Sequence, residues 1–293
     1  MYEIVFSLIT KNKFRGVLVL IALLVIDCTF VFLFLKQSQE ISAIHFLDVG
    51  QADAELITLD SGSNILIDTG GTDGSVLNAL TRTFPIGTKT IDLIFVSHPE
   101  TDHMGGIRSL IGVYNVGAVV YSGRDGSGEI WKRTKEDLIS HHIPIVILTK
   151  NDRVITGDSQ FDILSPDNTL LKKKEANESS LVIKFSERGV KTLFTGDMGK
   201  SAETYIKNSP DIFADILKVA HHGSKYSSSD LFLNAVYPRI AVIEVGKNSY
   251  GHPTQDALLR LSNIGAGIFR TDINGTISLE LLGNGKFSIF KSK

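Results

Sequence analysis

From Ser97 to Gly106 the chain reads SHPETDHMGG, which places two histidines and two carboxylates within six positions. Imidazole and carboxylate are ordinary ligands of Zn2+ and Mn2+. The whole chain has only eight histidines in 293 residues, so nothing in its composition calls for this crowding. His98 and Glu100 are two apart and can face one point across a turn at Pro99. Asp102 and His103 are adjacent and must diverge, unless a loop-to-helix junction lets each reach a different ion. The spacing therefore suggests two metals. Gly105 and Gly106 behind them permit close backbone approach. Asp102 could also simply cap the helix that starts nearby.

Further polar residues collect just after apolar runs: Asp68 after NILI, His98 after LIFVS, Asp197 after TLFTG, and His221 and His222 after ILKVA. Loops at strand ends are where a rigid sheet presents side chains to a common point. The runs themselves are short and rich in β-branched residues, bounded by Gly, Asn or Asp, as strands should be. They include SAIHFLDV, AELITL, IDLIFVS, AVVYS, IPIVIL, QFDILS, SLVIKF, RIAVIEV, GIFRT and TISLEL. Helices are expected near Ser75–Thr83, Gly106–Val113, Glu129–His141, Gly199–Asn208, Ser228–Val236 and Thr254–Ile264, and LLGNGKFSIF reads as a closing hairpin. So many strands with interspersed helices imply two packed sheets flanked by helices, in one α/β domain over 41–293.

Other polar residues have two readings each. In NSYGHP, Asn248, Tyr250 and His252 could bind a phosphate or protonate a leaving oxygen, or could build a turn held by side-chain hydrogen bonds. In GSKYSSSD, Ser224 and Lys225 would suit an anionic substrate, while Ser227–Ser229 could cap the next helix. His141 and His142 end a helix, where cations favour the dipole, and read as structural. His45 sits in an apolar strand and reads as a core residue or one that supports the ligands from behind, Trp131 as helix packing. Lys172–Glu175 is a solvated loop that could steer an anion. No GxSxG setting supports a serine hydrolase.

HPETDH resembles the HxHxDH ligand motif of the metallo-β-lactamase superfamily, with Glu100 in place of the second His. FLDVGQADAELI, LIDTGG, SHPETDHMGG, NESSLVI, LFTGDM, LKVAHHGSKYSSS, NSYGHP and FRTDINGTI, in that order, are similar to the hydrolase domain of ComEC-type competence proteins and their stand-alone relatives. The resemblance runs from about Ala43 to Ile277 and implies a four-layer αββα sandwich holding two divalent ions. By position, it makes His98 and Glu100 the ligands of one ion and Asp102, His103 and His222 those of the other, with Asp197 bridging. His221 would face the substrate phosphate, and Asp68 would fix the loop beneath the cluster. Asn177 stands nearest to a superfamily His that this chain lacks, and would touch substrate or bind metal weakly. The many-helix channel of the large competence proteins has no counterpart here.

Glu100 and the missing His make the first site rich in oxygen, which suits Mn2+ or Mg2+ better than a three-His zinc site does; Zn2+ also accepts carboxylates. Ala52 stands where relatives often carry Gly. Two ions lower the pKa of a shared water and hold both attacking and leaving oxygens. The implied activity is hydrolysis of a phosphodiester, DNA or another, by metal-bound hydroxide. Asp102, His221 and His252 are then the catalytic candidates, and Asn177, Ser224, Lys225, Asn248 and Tyr250 the substrate-binding ones. A small phosphoester or a lactone on the same scaffold is the alternative enzyme reading, and a metal-stabilised binding module the non-catalytic one.

Ahead of this domain, residues 16–35 contain one charge, Asp27, and fifteen Leu, Ile, Val or Phe. Twenty such residues can cross a bilayer as a helix. The stretch is longer than a signal-peptide core and lacks a small-x-small cleavage site. The expected order is a cytoplasmic segment 1–15, a transmembrane helix 16–35, a linker 36–40 and the hydrolase domain. Lys11, Lys13 and Arg15 precede the span and only Lys36 follows closely, so the positive-inside bias puts the domain outside the cell. The one cysteine, Cys28, lies in that stretch, so no disulfide supports the domain. Beyond residue 36 there are 26 basic and 30 acidic residues, a net of −4, which is no footprint for tight non-specific nucleic-acid binding and favours a small or single-stranded substrate. Protease added to intact cells should shave the domain from the surface; protection until lysis would refute this orientation.

Overall fold

Side-chain alternation along the strands assigns the layers. Ile44 and Phe46 of β1 (Ala43–Phe46), Ile57 of β2 (Glu55–Thr58) and Ile65 and Ile67 of β3 (Asn64–Ile67) pack into one apolar cluster; their neighbours Leu47, Leu56 and Leu66 pack into another. A period of two puts alternate residues on opposite faces, so a sheet apolar on both faces must be covered on both. A computed structural model describes residues 16–17, 20–30, 41–209 and 211–293, and over 41–293 it bears out this arrangement. The remaining strands are β4 (Thr90–Phe95), β5 (Asn115–Tyr121), β6 (Ile145–Ile147), β7 (Arg153–Thr156), β8 (Ser159–Ser165), β9 (Val182–Glu187), β10 (Val190–Phe194), β11 (Ile216–Lys218), β12 (Ile240–Ile243), β13 (Gly267–Arg270), β14 (Ile277–Gly283) and β15 (Lys286–Lys291). One sheet runs β15-β14-β1-β2-β3-β4-β5-β6 and the other β13-β12-β11-β10-β9-β8-β7.

Between the sheets, Phe161 lies 5.7 Å from Phe95 and 4.8 Å from Phe185, ring centre to ring centre, and Phe46 lies 6.0 Å from Phe194. Outside the first sheet pack the helices Ser75–Thr83 and Glu129–Ser140, the latter through Trp131 and Leu138. Outside the second pack Lys200–Ile206, Asp230–Val236 and Gln255–Asn263. The chain thus forms the expected αββα sandwich over Ile41–Lys293. Strands β3 to β6 are parallel, and so are β10 to β13. Ligands gather outside the carboxyl ends of parallel strands, and Asp68, His98, Asp197 and His222 all follow such ends.

Three details depart from the sequence reading. The helix expected over Gly106–Val113 covers only Ile107–Leu110, because Ile111 is extended and Gly112 is left-handed (φ 82°). Strand β7 was not anticipated: RVIT is a half-exposed edge strand with little apolar signal. The expected span 16–35 lies partly outside the described residues; 16–17 and 20–30 are helical, and among the described residues no helix is long and apolar enough to cross a membrane.

Gly106 shows how the fold holds the ligand loop. Its N–H donates to the Gly70 carbonyl at 3.1 Å, and a Cβ there would lie 2.0 Å from the Thr69 carbonyl oxygen. The two loops of HPETDH and LIDTGG therefore touch backbone to backbone. Gly106→Ala should cost about 1–3 kcal/mol, as overpacking does, read as a lower urea midpoint; an unchanged midpoint would mean that the loops separate freely.

Candidate metal centre

Asp68 sits one residue past β3 in a left-handed conformation (φ 54°) and is buried. Its carboxylate accepts Ser97 N–H at 2.7 Å, Ser97 Oγ at 2.6 Å and His103 Nδ1 at 2.7 Å. Ser97 Oγ in turn accepts His98 Nδ1 at 3.0 Å. On the other sheet, His222 Nδ1 donates to the Glu244 carbonyl at 2.8 Å. Each of the three imidazoles thus has its Nδ1 engaged, which leaves Nε2 pointing into a common space. Gly196 brings the Asp197 loop to the same place: a Cβ on it would lie 2.7 Å from Ser97 Cβ.

The convergence forms two triads whose ligand atoms lie within 4.8 Å of one another: His98, His103 and Asp197, and Asp102, His103 and His222. Asp197 Oδ2 lies 3.5 Å from His103 Nε2, 3.7 Å from His221 Nε2 and 3.9 Å from His222 Nε2. Asp102 Oδ2 lies 3.5 Å from His222 Nε2. His98 Nε2, His103 Nε2, His222 Nε2 and Asp197 Oδ1 are buried without a hydrogen-bond partner. Buried polar atoms are normally paired. Three unpaired imidazole nitrogens gathered around Asp197 Oδ2 and Asp102 fit divalent cations, and their donor types suit Zn2+ or Mn2+.

The charges agree. Burial opposes ionisation of Asp197, yet the adjacent His103 and His222 hold its carboxyl well below the usual range. Asp102 is held low in the same way, against burial, by its hydrogen bond to His222 and by the charge of His103. Burial would discharge His103 and His222, but Asp197, Asp68 and Asp53 push His103, and Asp53, Asp197 and Asp102 push His222, well above an ordinary histidine. Cations would take the place of those protons, so metal uptake should release them.

Most sequence-predicted ligands meet here, with some changes of detail. Asp102 and His103 stand at the loop-to-helix junction that the sequence reading allowed: the short helix Thr101–Met104 starts at Thr101, and its turn carries both side chains to the cluster. His103 belongs to both triads, but with Nδ1 taken by Asp68 its one free nitrogen can hold a single ion. Glu100 joins neither; its carboxylate stands 3.7 Å from His98 Nε2 with the side chain 46% exposed, and His98 holds its pKa low. The two adjacent histidines split as expected. His221 and His222 are both left-handed (φ 52° and 51°), which sets their rings 74° apart. His222 is buried at 3% exposure, whereas the His221 side chain is 37% exposed.

Around the cluster the picture is mixed. The His252 ring lies 5.6 Å from that of His221, its Nδ1 buried and unpartnered, and burial followed by His221 and His222 keeps its pKa low. Asn248 belongs to the turn reading instead of the substrate reading: its amide donates to Gly246 and His252 carbonyls and its oxygen accepts from Tyr250 and His252 N–H. Those four bonds use its polar capacity, so it holds His252. Tyr250 is exposed with its ring 5.8 Å from His252. Ser224 is buried, its Oγ accepting Tyr226 N–H at 3.3 Å, and Lys225 lies over the Tyr226 ring. Asn177 is half-buried on the turn Ala176–Ser179, where its carbonyl accepts from Ser180. His45 donates to or accepts from Ser278 Oγ at 2.8 Å, and burial lowers its pKa to about 4, in keeping with the core reading.

Sequence reasoning missed the layer below. Asp53 is fully buried, 3.3 Å from His222 Nδ1 and 3.5 Å from His103 Nδ1, and accepts a hydrogen bond from the buried Lys218 Nζ. Lys218 also donates to the Gly196 carbonyl at 3.1 Å. Beside them lie two buried acids, Glu55 and Glu244. The signal was available: Asp53 and Glu55 interrupt the apolar FLDVGQADAELI, and Lys218 interrupts ILKVA just before the histidine pair.

Residues 47–246 match the metallo-beta-lactamase superfamily, and the chain belongs to it. Within it, its relatives are ComEC-type competence proteins. It is 30% identical over 266 residues to ComE operon protein 3 of Bacillus subtilis, covering 84% of this chain and 34% of that protein. It is 28% identical to competence protein ComA of Neisseria gonorrhoeae, covering 82% of this chain and 32% of that one. The chain thus spans about a third of the length of these relatives. Among solved structures, CmlA, a diiron beta-hydroxylase from Streptomyces venezuelae, shares the fold with a TM-score of 0.57 at 15% identity, over 83% of this chain and 54% of that one.

The acids below the metals carry a pH signature. Burial, then the charge of Asp53, raises the Glu244 carboxyl to about 8. Glu244 therefore keeps its proton in the fold where the unfolded chain has lost it, and stability falls as pH rises from the ordinary carboxylate range through about 8. Glu244→Gln removes that titration. In metal-free protein, unfolding at about pH 5 and about pH 8 should show wild type losing stability relative to the variant as pH rises; parallel profiles would refute the assignment.

Proposed function

We propose that this protein is a metal-dependent phosphodiesterase that acts on DNA or another phosphodiester, with the apolar stretch 16–35 holding the domain at the outer face of the cell membrane. The observation that carries the reading is the set of three buried, unpartnered imidazole nitrogens of His98, His103 and His222 gathered around the Asp197 and Asp102 carboxylates. The fold alone would not suffice, since its structural neighbours include a protein named as a hydroxylase. The resemblance to competence-protein hydrolase domains favours DNA among phosphodiesters, and the net charge beyond the anchor favours a single strand over long duplex.

In this reading His98 and Asp197 hold one cation, with Glu100 at hand on the exposed side of His98; Asp102, His103 and His222 surround the other, and Asp197 Oδ2 stands 3.5 Å from His103 and 3.9 Å from His222. When bound, two divalent ions supply an activated water and neutralise charge on the phosphoryl oxygens. The chain's own residues do the rest. Asp68, Ser97 and the Glu244 carbonyl fix the imidazole orientations. His221, on the exposed side of Asp197, donates to a phosphoryl oxygen as charge grows there. His252, beside it with Nδ1 unpartnered, serves the leaving oxygen.

Two variants test this. His222→Ala should lower metal content and turnover together. His221→Ala should keep the metals but slow bis-p-nitrophenyl phosphate hydrolysis by about 10²–10³, the usual cost of one lost transition-state donor. Elemental analysis beside steady-state kinetics separates them. Wild-type protein loaded with two ions yet inert toward phosphodiesters, single-stranded DNA and lactones would leave a metal-stabilised binding module.

A further inference from the structure

We propose that the trough beside the metal centre is a subsite for the phosphate next to the scissile one, with Lys174 as its cation and Arg124 as a positioning residue. This rests on the phosphodiesterase reading and names the substrate class: a strand with more than one phosphate.

The trough, about 470 Å³, is lined by Glu100 and Asp102 at one end and by Arg124, Gly126 and Lys174 further along. It shares the segment 125–128 with a second hollow of about 270 Å³ that reaches Lys132 and Lys135. The trough thus joins the metal ligands to Arg124 and Lys174.

Both walls are held in place. Gly126 lies against the ligand loop, since a Cβ on it would be 2.9 Å from the Pro99 carbonyl oxygen and 3.2 Å from Trp131 Cβ. Arg124 Nη1 donates to the Lys173 carbonyl at 2.5 Å and the Glu175 carbonyl at 3.2 Å, and Nη2 donates to the Lys174 carbonyl at 2.7 Å. Three successive carbonyls thus meet one planar guanidinium, which fixes the segment that carries Lys174 and leads into Asn177. An ammonium has no such fork.

The charges left over are positive. Arg124 uses its donors on neutral carbonyls, so no carboxylate cancels it. Asp125 is paired with Lys135 at 2.7 Å, Asp102 belongs to the metal-ligand cluster, and Glu100 stands 3.7 Å from His98. Arg124 and Lys174 therefore present their field to whatever lies in the trough. A single phosphodiester held at the metals leaves that space empty of charge; a nucleic-acid strand carries its next phosphate into it.

The full-length protein, loaded with Mn2+, should be compared as wild type, Lys174→Ala, Lys174→Arg and Arg124→Ala, with metal content as the check on folding. Binding of a labelled single-stranded tetranucleotide should weaken about fivefold in Lys174→Ala, the scale of one exposed charge contact, and Lys174→Arg should restore it. The kcat/KM ratio of tetranucleotide to bis-p-nitrophenyl phosphate should fall by a similar factor through KM. Arg124→Ala should reproduce the loss, and a dinucleotide with one phosphate should feel it less. Unaltered tetranucleotide binding in Lys174→Ala, or an equal loss on both substrates, would overturn the subsite. Failure of the wild type to hydrolyse either substrate would sink the parent reading, while the binding measurements would still decide the subsite.

Discussion

Asp68 accepts three hydrogen bonds while almost entirely removed from water, and both ligand loops of the first sheet depend on it. An ionised carboxylate buried without partners costs several kcal/mol. Ser97 N–H, Ser97 Oγ and His103 Nδ1 offset that cost only if the chain after β4 returns to lie against the chain after β3. The same three bonds set the imidazole orientations, so the force that folds these loops also aims Nε2 of His98 and His103. Asp is among the few residues that tolerate the left-handed backbone this requires.

The second sheet supplies the opposite half by the same logic. Its parallel strands deliver Asp197, His222 and the loop around His252 at one edge, and Lys218 rises from β11 between Asp53 and Asp197. Asp53 comes from the first sheet, so the Asp53–Lys218 pair joins the sheets beneath the metals. Buried ion pairs of this kind are weak evidence for stability and better evidence for a specified geometry. Here the geometry is the position of His103 and His222, whose Nδ1 atoms both face Asp53. The unpaired Nε2 atoms above them follow from that arrangement.

Much of the fold was legible because its causes are local. Ile44, Phe46, Leu47, Leu56 and Leu66 follow the two-residue period, and the hairpin turn at Asn284 follows from residues that accept left-handed backbone. The weak edge strand β7 and the early end of the helix after Gly106 were not legible, since half-exposed strands carry little pattern and one left-handed glycine decides the other. The ligand types were legible too, because His98, Asp102, His103, Asp197 and His222 stand at strand ends. Asp53 and Lys218 escaped notice because single charges inside apolar runs look like interruptions until a partner appears across the sheets.

The sequence by itself determined the two-sheet class, the membership suggested by HPETDH and the motifs around it, and the chemical character of the donors. Periodicity and side-chain identity are properties of neighbouring residues, so they survive without a structure. Only tertiary packing decided that Glu100 would stay at the rim, that Asn248 would brace His252, and that Arg124 would clamp the segment from 173 to 175. Each of these depends on which atoms from distant segments come within hydrogen-bond reach, and that is settled by how two sheets and their loops close on one another.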